Sequence, residues 1–171
     1  DAALVILDCL PNLWNASDFS REDVGRRIKE AVRGLRRDRP DVPILLADHA
    51  GYSDGSIVAA RRRDPLDVNL VQHRAFEELR KEGVTGLHLL TREEIGLGLE
   101  DMVDGTHPSD LGMAAYAAAY EKAVRAILGQ PIGPEISTIP VTQDREPALY
   151  DWEARHQAIL KMNAESGPRA V

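Results

Sequence analysis

The sequence predicts an α/β fold built around a mostly parallel sheet, and three observations carry that prediction. Three short apolar runs, Leu4 to Asp8, Ile44 to Asp48 and Leu87 to Leu90, are nearly continuous instead of alternating, the pattern of strands covered on both faces by helices. Amphipathic stretches separate them, which gives the βα alternation of a parallel sheet. Capping residues and breakers fall where one pattern changes into the other.

The first run, "LVILD", starts at residue 4 with no polar lead-in and no initiator Met before it, so the sequence reads as a fragment. Ser20 and Asp23 make a variant capping box, after which Val24, Ile28, Ala31, Val32 and Leu35 recur at helical spacing until Pro40. A helix is expected from Ser20 to Arg37. Asp64 and Pro65 read as N-cap and first position of a second helix, with Val68, Val71, Ala75 and Leu79 inward and Gly83 as its stop. Thr91 with Glu94 opens a short third helix. The fourth should run from Ser109 to Leu128, with Met113, Tyr116, Tyr120, Ala123, Val124 and Ile127 on one stripe. The domain then ends, and residues 129–147, rich in Pro, Gly and polar residues, read as a linker. Within residues 148–171, "YDWEARHQAILKMN" reads as an amphipathic helix, and the closing Ala170 and Val171 as the start of a strand. Three strands are few for a doubly wound sheet, where about four to six are usual, so a further strand is expected upstream. The alternative is a small three-stranded domain closed by its C-terminal helix.

A chain of 171 residues with 43% hydrophobic and 29% charged residues holds one domain, or one domain and an appendage. Its formal charge of -7 supplies no basic stripe for a phosphate backbone. The arginines that cluster (Arg36, Arg37, Arg39 and Arg61, Arg62, Arg63) are interleaved with acids, so nucleic acid is not an expected partner. Apolar runs reach about six residues, against the roughly twenty that cross a bilayer, and no basic segment precedes an apolar one at the start. No membrane partner is expected. A single cysteine, Cys9, excludes an internal disulfide and a Cys-rich zinc site.

In open α/β sheets ligands bind beyond the carboxyl ends of the strands. The polar residues expected there are Asp8, Asn12, Asp48, His49, Asp104 and His107. In "DGTHPSDLG" a turn of two residues can fold the Asp104 carboxylate back to Nδ1 of His107, which fixes the tautomer and leaves Nε2 free to take a proton. Pro108 restricts His107 to an extended backbone and projects the ring out of the loop. The competing reading is an Asp-Gly turn with an incidental histidine. "GYSDG", Gly51 to Gly55, matches a G-x-S-x-G elbow and makes Ser53 a rival nucleophile, although Asp48, His49 and Ala50 intervene where the elbow needs a direct strand-to-helix corner. A metal held by Asp8, Asp48, His49, Asp104 and His107 is a further alternative, weakened by the lack of any i, i+4 ligand pair. His73 and His88 read as structural or solvated, and Cys9 as packed.

Two stretches carry a family resemblance. "DGTHPSDLG" resembles the carboxyl-terminal signature of the SGNH hydrolases, the GDSL lipase and esterase family, with its D-x-x-H-P motif before the last helix. "LVILDCLPN" resembles the strand and loop that bear an oxyanion-hole asparagine in that family. The resemblance covers residues 1 to 128 and implies a three-layer α/β/α, flavodoxin-like fold, here incomplete at its N-terminus. It implies His107 as general base, Asp104 as its orienting acid and the Asn12 amide as an oxyanion donor. "CLPN" followed by Leu13 departs from the usual G-x-N-D. The serine-bearing G-D-S loop and the second oxyanion donor, a glycine, normally precede the first strand seen here, so the nucleophile is expected upstream. The tail resembles the lead into a second module in tandem members. The implied activity is hydrolysis of an ester, such as an acylated carbohydrate, with no cofactor, in a family whose members are often exported. The alternative is a binding module that keeps the fold without the nucleophile.

Overall fold

The computed structural model describes residues 2–13 and 19–129. Strand β1 (Val5–Leu7) leads through a single helical turn, α1 (Leu10–Leu13), toward helix α2 (Arg21–Asp38). Strand β2 (Ile44–Ala47), helix α3 (Ala59–Lys81), strand β3 (Leu87–Leu90), the short helix α4 (Arg92–Ile95) and helix α5 (Asp110–Leu128) follow. The three strands are parallel in the order β1-β2-β3, with Val5 opposite Ile44 and Ile44 opposite Leu87.

The continuous apolar runs arise because alternate residues feed two cores. Ile44, Leu46, Leu87 and Leu89, with Leu7, pack among Val24, Ile28 and Val32 of α2 and Val68, Ala75 and Leu79 of α3. Leu45 and Leu90 point the other way, to Ile95 and to Tyr116, Tyr120, Ala123 and Ile127 of α5. Helices therefore cover both faces, α2 and α3 on one and α5 on the other, as consecutive right-handed crossovers followed by a switch of side require. All four residues of β2 are buried, whereas β1 and β3 are only partly so.

Local chemistry sets the helix ends. The Ser20 hydroxyl accepts from the Asp23 N–H at 3.1 Å and caps α2. Thr91 and Glu94 form a reciprocal capping box on α4. Ser109 caps α5 through the Gly112 N–H, and Gly129 ends it. Three expectations need correction. Helix α3 begins at Ala59, so Pro65 lies inside it and not at its first position. Ala and Arg are good helix formers and propagate the helix upstream of the proline; the ring, fully buried in the core, offsets the backbone hydrogen bond that proline cannot make. The turn α1 was not expected; Leu10, fully buried, anchors it. Met113 is exposed, because it stands with Asp8, Tyr116 and Tyr120 around a depression of about 310 Å³, at the β1 edge where the described sheet ends. The readings of a linker and a further helix, from residue 130 onward, concern residues outside those described.

Candidate active site

The loop that joins the 3-10 turn Leu99–Asp101 to α5 is closed on itself. Met102 and Pro108 form an isolated antiparallel bridge, and the Val103 N–H donates to the His107 carbonyl at 2.9 Å. Within that closure Asp104 folds back on the chain that follows it. Its Oδ1 accepts from the backbone N–H groups of Thr106 (2.9 Å) and His107 (2.8 Å), and its Oδ2 lies 2.7 Å from His107 Nδ1. Gly105, at φ +81°, supplies the left-handed residue that the turn requires. The His107 N–H above all, then its ring and the Thr106 N–H, hold the Asp104 carboxyl well below the usual carboxylate range. It stays an anion, so Nδ1 of His107 carries the proton and Nε2 is the accepting nitrogen. Nε2 makes no hydrogen bond among the described residues, and the ring is 74% exposed.

The segment after β2 braces this loop from outside. The Ser53 N–H donates to the Gly105 carbonyl at 3.1 Å. Arg61 donates from Nε to Asp54 Oδ1 (2.6 Å) and from Nη2 to Thr106 Oγ1 (2.5 Å), with its guanidinium 4.1 Å above the Tyr52 ring. A Cβ on Gly105 would meet Asp54 Cγ at 3.0 Å, so the loop and the brace touch. These supporting residues escaped the sequence, where the arginine run reads only as charges interleaved with acids. The one available signal was the reach of Arg61 to an acid seven positions earlier.

Asp48 and His49 take another course. Both were expected at the open end of the sheet, and both are buried, with 1% and 4% of their surface exposed. Asp48 accepts from Gln72 Nε2 (3.0 Å), from His73 Nε2 (2.9 Å) and from the Arg92 N–H (3.1 Å). His73, read as structural or solvated, is thus a structural partner. Asn69 holds the His49 backbone on both sides, through its N–H and its carbonyl. His49 Nδ1 accepts from the Gly51 N–H at 2.9 Å, which makes the ring a neutral Nε2–H tautomer. Burial first, then the charges of Arg92 and Arg61, push its pKa down to about 4. Three anchored donors on a carboxylate and a neutral imidazole form a framework for the loop, not an acid and base for a substrate.

Asn12 is exposed in α1, at the carboxyl end of β1, with its backbone N–H on the Cys9 carbonyl. Among the described residues its side chain makes no hydrogen bond to His107, and neither does Ser53 Oγ. Ser53 opens a 3-10 turn, Ser53–Ser56, directly after the extended Tyr52 and with residues 48–52 between it and the end of β2, which is not the strand-to-helix corner a nucleophile elbow needs. Asp8 accepts from the Tyr120 hydroxyl at 2.7 Å and ties α5 to β1. Burial, then the Asp8 charge, raise the Cys9 thiol above its ordinary value, the opposite of what nucleophilic cysteines require. Among the described residues no three His, Cys, Asp or Glu side chains gather as metal ligands.

Comparison with known proteins gives the family and the fold. The model of the GDSL-like lipase/acylhydrolase family matches residues 1–125. A crystal structure described as a GDSL-like lipase from Bacteroides ovatus superposes with a TM-score of 0.69 at 30% identity, over 78% of this chain and 38% of that one. The salicylyl-acyltransferase SsfX3 of a tetracycline biosynthetic pathway superposes with a TM-score of 0.62 at 20% identity, over 77% of this chain and 40% of its own, a likeness of fold. The chain thus spans about two fifths of the length of either structure. No curated protein matches it.

Proposed function

The chain belongs to the GDSL-like lipase/acylhydrolase family, and on that premise we propose that residues 1–128 are the carboxyl-terminal portion of a serine ester hydrolase domain acting on a small acylated molecule such as an acylated carbohydrate. The observation that carries the proposal is the Asp104–His107 pair, joined at 2.7 Å through Nδ1, with Nε2 unpaired among the described residues. A serine hydroxyl brought to Nε2 by an upstream segment loses its proton to His107 as its oxygen bonds to the acyl carbon. Asp104 stabilises the imidazolium so formed and keeps the ring in place. The side-chain amide of Asn12 donates to the oxyanion. As the tetrahedral intermediate collapses, the alcohol oxygen leaves with the proton from His107. Water then gives a proton to the same nitrogen as its oxygen bonds to the acyl carbon, and when the bond from the acyl carbon to the serine oxygen breaks, that oxygen takes the proton back from His107 and the acid leaves. None of these steps calls for a cofactor.

The test compares this chain with the protein extended by its upstream coding segment, each assayed on a short-chain chromogenic ester and on a serine-directed fluorophosphonate. The extended protein should hydrolyse and be labelled, and the 171-residue chain should do neither. His107→Ala should abolish hydrolysis, while Ser53→Ala should leave it intact. Hydrolysis that survives His107→Ala sinks the base assignment, and loss with Ser53→Ala returns the nucleophile to this chain. An extended protein that neither hydrolyses nor is labelled is a binding module.

A further inference from the structure

Beside the loop of His107 lies a cavity of about 540 Å³ between the Ser53–Ser56 turn and residues 97–99, lined by Tyr52, Ser53, Arg62, Arg92 and Leu97 among others. Its lining holds two guanidinium groups and no carboxylate, in a chain of net charge -7. That imbalance is local and built in. Of three consecutive arginines at the start of α3, Arg61 is paired with Asp54 and Arg63 with Asp64. Arg62, the one that lines the cavity, makes no ion pair or side-chain hydrogen bond among the described residues.

Arg92 is fixed where it stands. Its Nε–H donates to the Ala50 carbonyl at 3.0 Å, its backbone N–H is held by the buried Asp48, and its guanidinium lies over Gly51. There φ is +100° and an added Cβ would come within 2.8 Å of the guanidinium nitrogens. The two Nη groups make no hydrogen bond among the described residues. Gly55 in turn lets the 3-10 turn sit against the Arg62 backbone, where a Cβ would meet Cα at 3.1 Å. A fixed, planar guanidinium whose Nη groups are unpaired among the described residues, with a second such guanidinium lining the same cavity, matches the two oxygens of a carboxylate or phosphate. Ser53, which lines the same cavity, is hydrogen-bonded to Gly105, two residues from His107, so a ligand here adjoins the catalytic loop.

We propose that this cavity holds an anionic group of the substrate, a carboxylate or phosphate oxyanion, between Arg62 and Arg92. That the anion is carried by an ester substrate rests on the hydrolase reading; the binding of the anion does not. The full chain is titrated with D-glucuronate, with glucose 6-phosphate and with neutral glucose, following the amide signals of residues 52–55 and the Arg92 Nε signal by NMR. One or both anions should shift these signals saturably, the tighter one identifying the oxyanion, and added salt should weaken the effect. Arg62→Ala, on an exposed helical site, should raise Kd about tenfold, and Arg92→Lys, which keeps the charge but loses the fork, should raise it severalfold. Equal shifts with glucose, no shift with either anion into the millimolar range, or a Kd unmoved by both substitutions overturns the proposal. Because nothing needs to turn over, a chain that binds the anion while the extended protein hydrolyses no ester refutes the hydrolase reading alone. Hydrolysis that persists without anion binding refutes the anion site alone.

Discussion

Asp48 with His49 and His73, after β2 and on α3, and Asp104 with His107, before α5, are the same two residue types in opposite surroundings. Asp48 is sealed in and takes hydrogen bonds from Gln72, His73 and Arg92, and His49 is neutral with Nδ1 occupied. Asp104 and His107 sit at the surface, satisfied on one side by their own loop and open at Nε2. The first group holds β2, α3 and α4 together, and its one unpaired ring nitrogen, Nε2 of His49, is buried out of reach of a substrate. The second leaves one nitrogen for a substrate. Whether an Asp–His cluster supports the fold or does chemistry is decided here by burial and by which atoms stay unpaired, not by residue type.

The largest effect should separate the two groups outright. In the extended protein His107→Ala should lower kcat by at least about 10⁴-fold, as loss of a triad base does, while His73→Ala should leave most of kcat. An equal loss from both would erase the distinction. Next, Asp48→Ala should cost about 3 kcal/mol or more of stability in urea unfolding, because it strands buried donors.

The third effect depends on pH. The folded pKa of His49, about 4, lies below the ordinary 6.5, so between these values the unfolded chain binds the extra proton and unfolding is favoured as pH falls. The stability contributed by the neutral ring is present above about 6.5 and is lost on descent through about 4. Two and a half pH units correspond to about 3 kcal/mol, most of which should disappear from the difference between pH 7 and 4 in His49→Gln. A variant with the wild-type slope would show that His49 is not the group responsible.

A smaller change sharpens the loop itself. Gly105→Ala, at φ +81° and with Asp54 Cγ 3.0 Å from the new Cβ, should cost about 1 to 2 kcal/mol. It should also broaden the Nδ1 proton signal of His107, which a change elsewhere on the surface would not do. The smallest effect falls on the exposed pair: Asp104→Ala should leave the urea unfolding midpoint nearly where it is in the unsubstituted chain. A loss as large as that of Asp48→Ala would mean that both clusters are structural.

Much of this was legible in the chain. The strand runs were readable because parallel strands buried on both faces must be apolar throughout, and the caps of α2, α4 and α5 because Ser20, Thr91 and Ser109 act on N–H groups three residues away. The Asp104–His107 bond was readable for the same reason: both partners belong to one short turn. The start of α3 was misread because Pro65 is a strong local stop that a buried position overrides.

The sequence by itself therefore determined the βα order, the capped starts of α2, α4 and α5 and the carboxylate–imidazole pair, all set by interactions within a few residues. Only the tertiary structure decided that Asp48 and His49 turn inward, that Arg61 reaches from α3 to Thr106, and that Arg62 and Arg92 meet at one cavity. Each of these depends on groups brought together from distant parts of the chain, and on how much water is left around them. Burial and charge pairing are properties of the packed molecule, which the order of residues does not state locally.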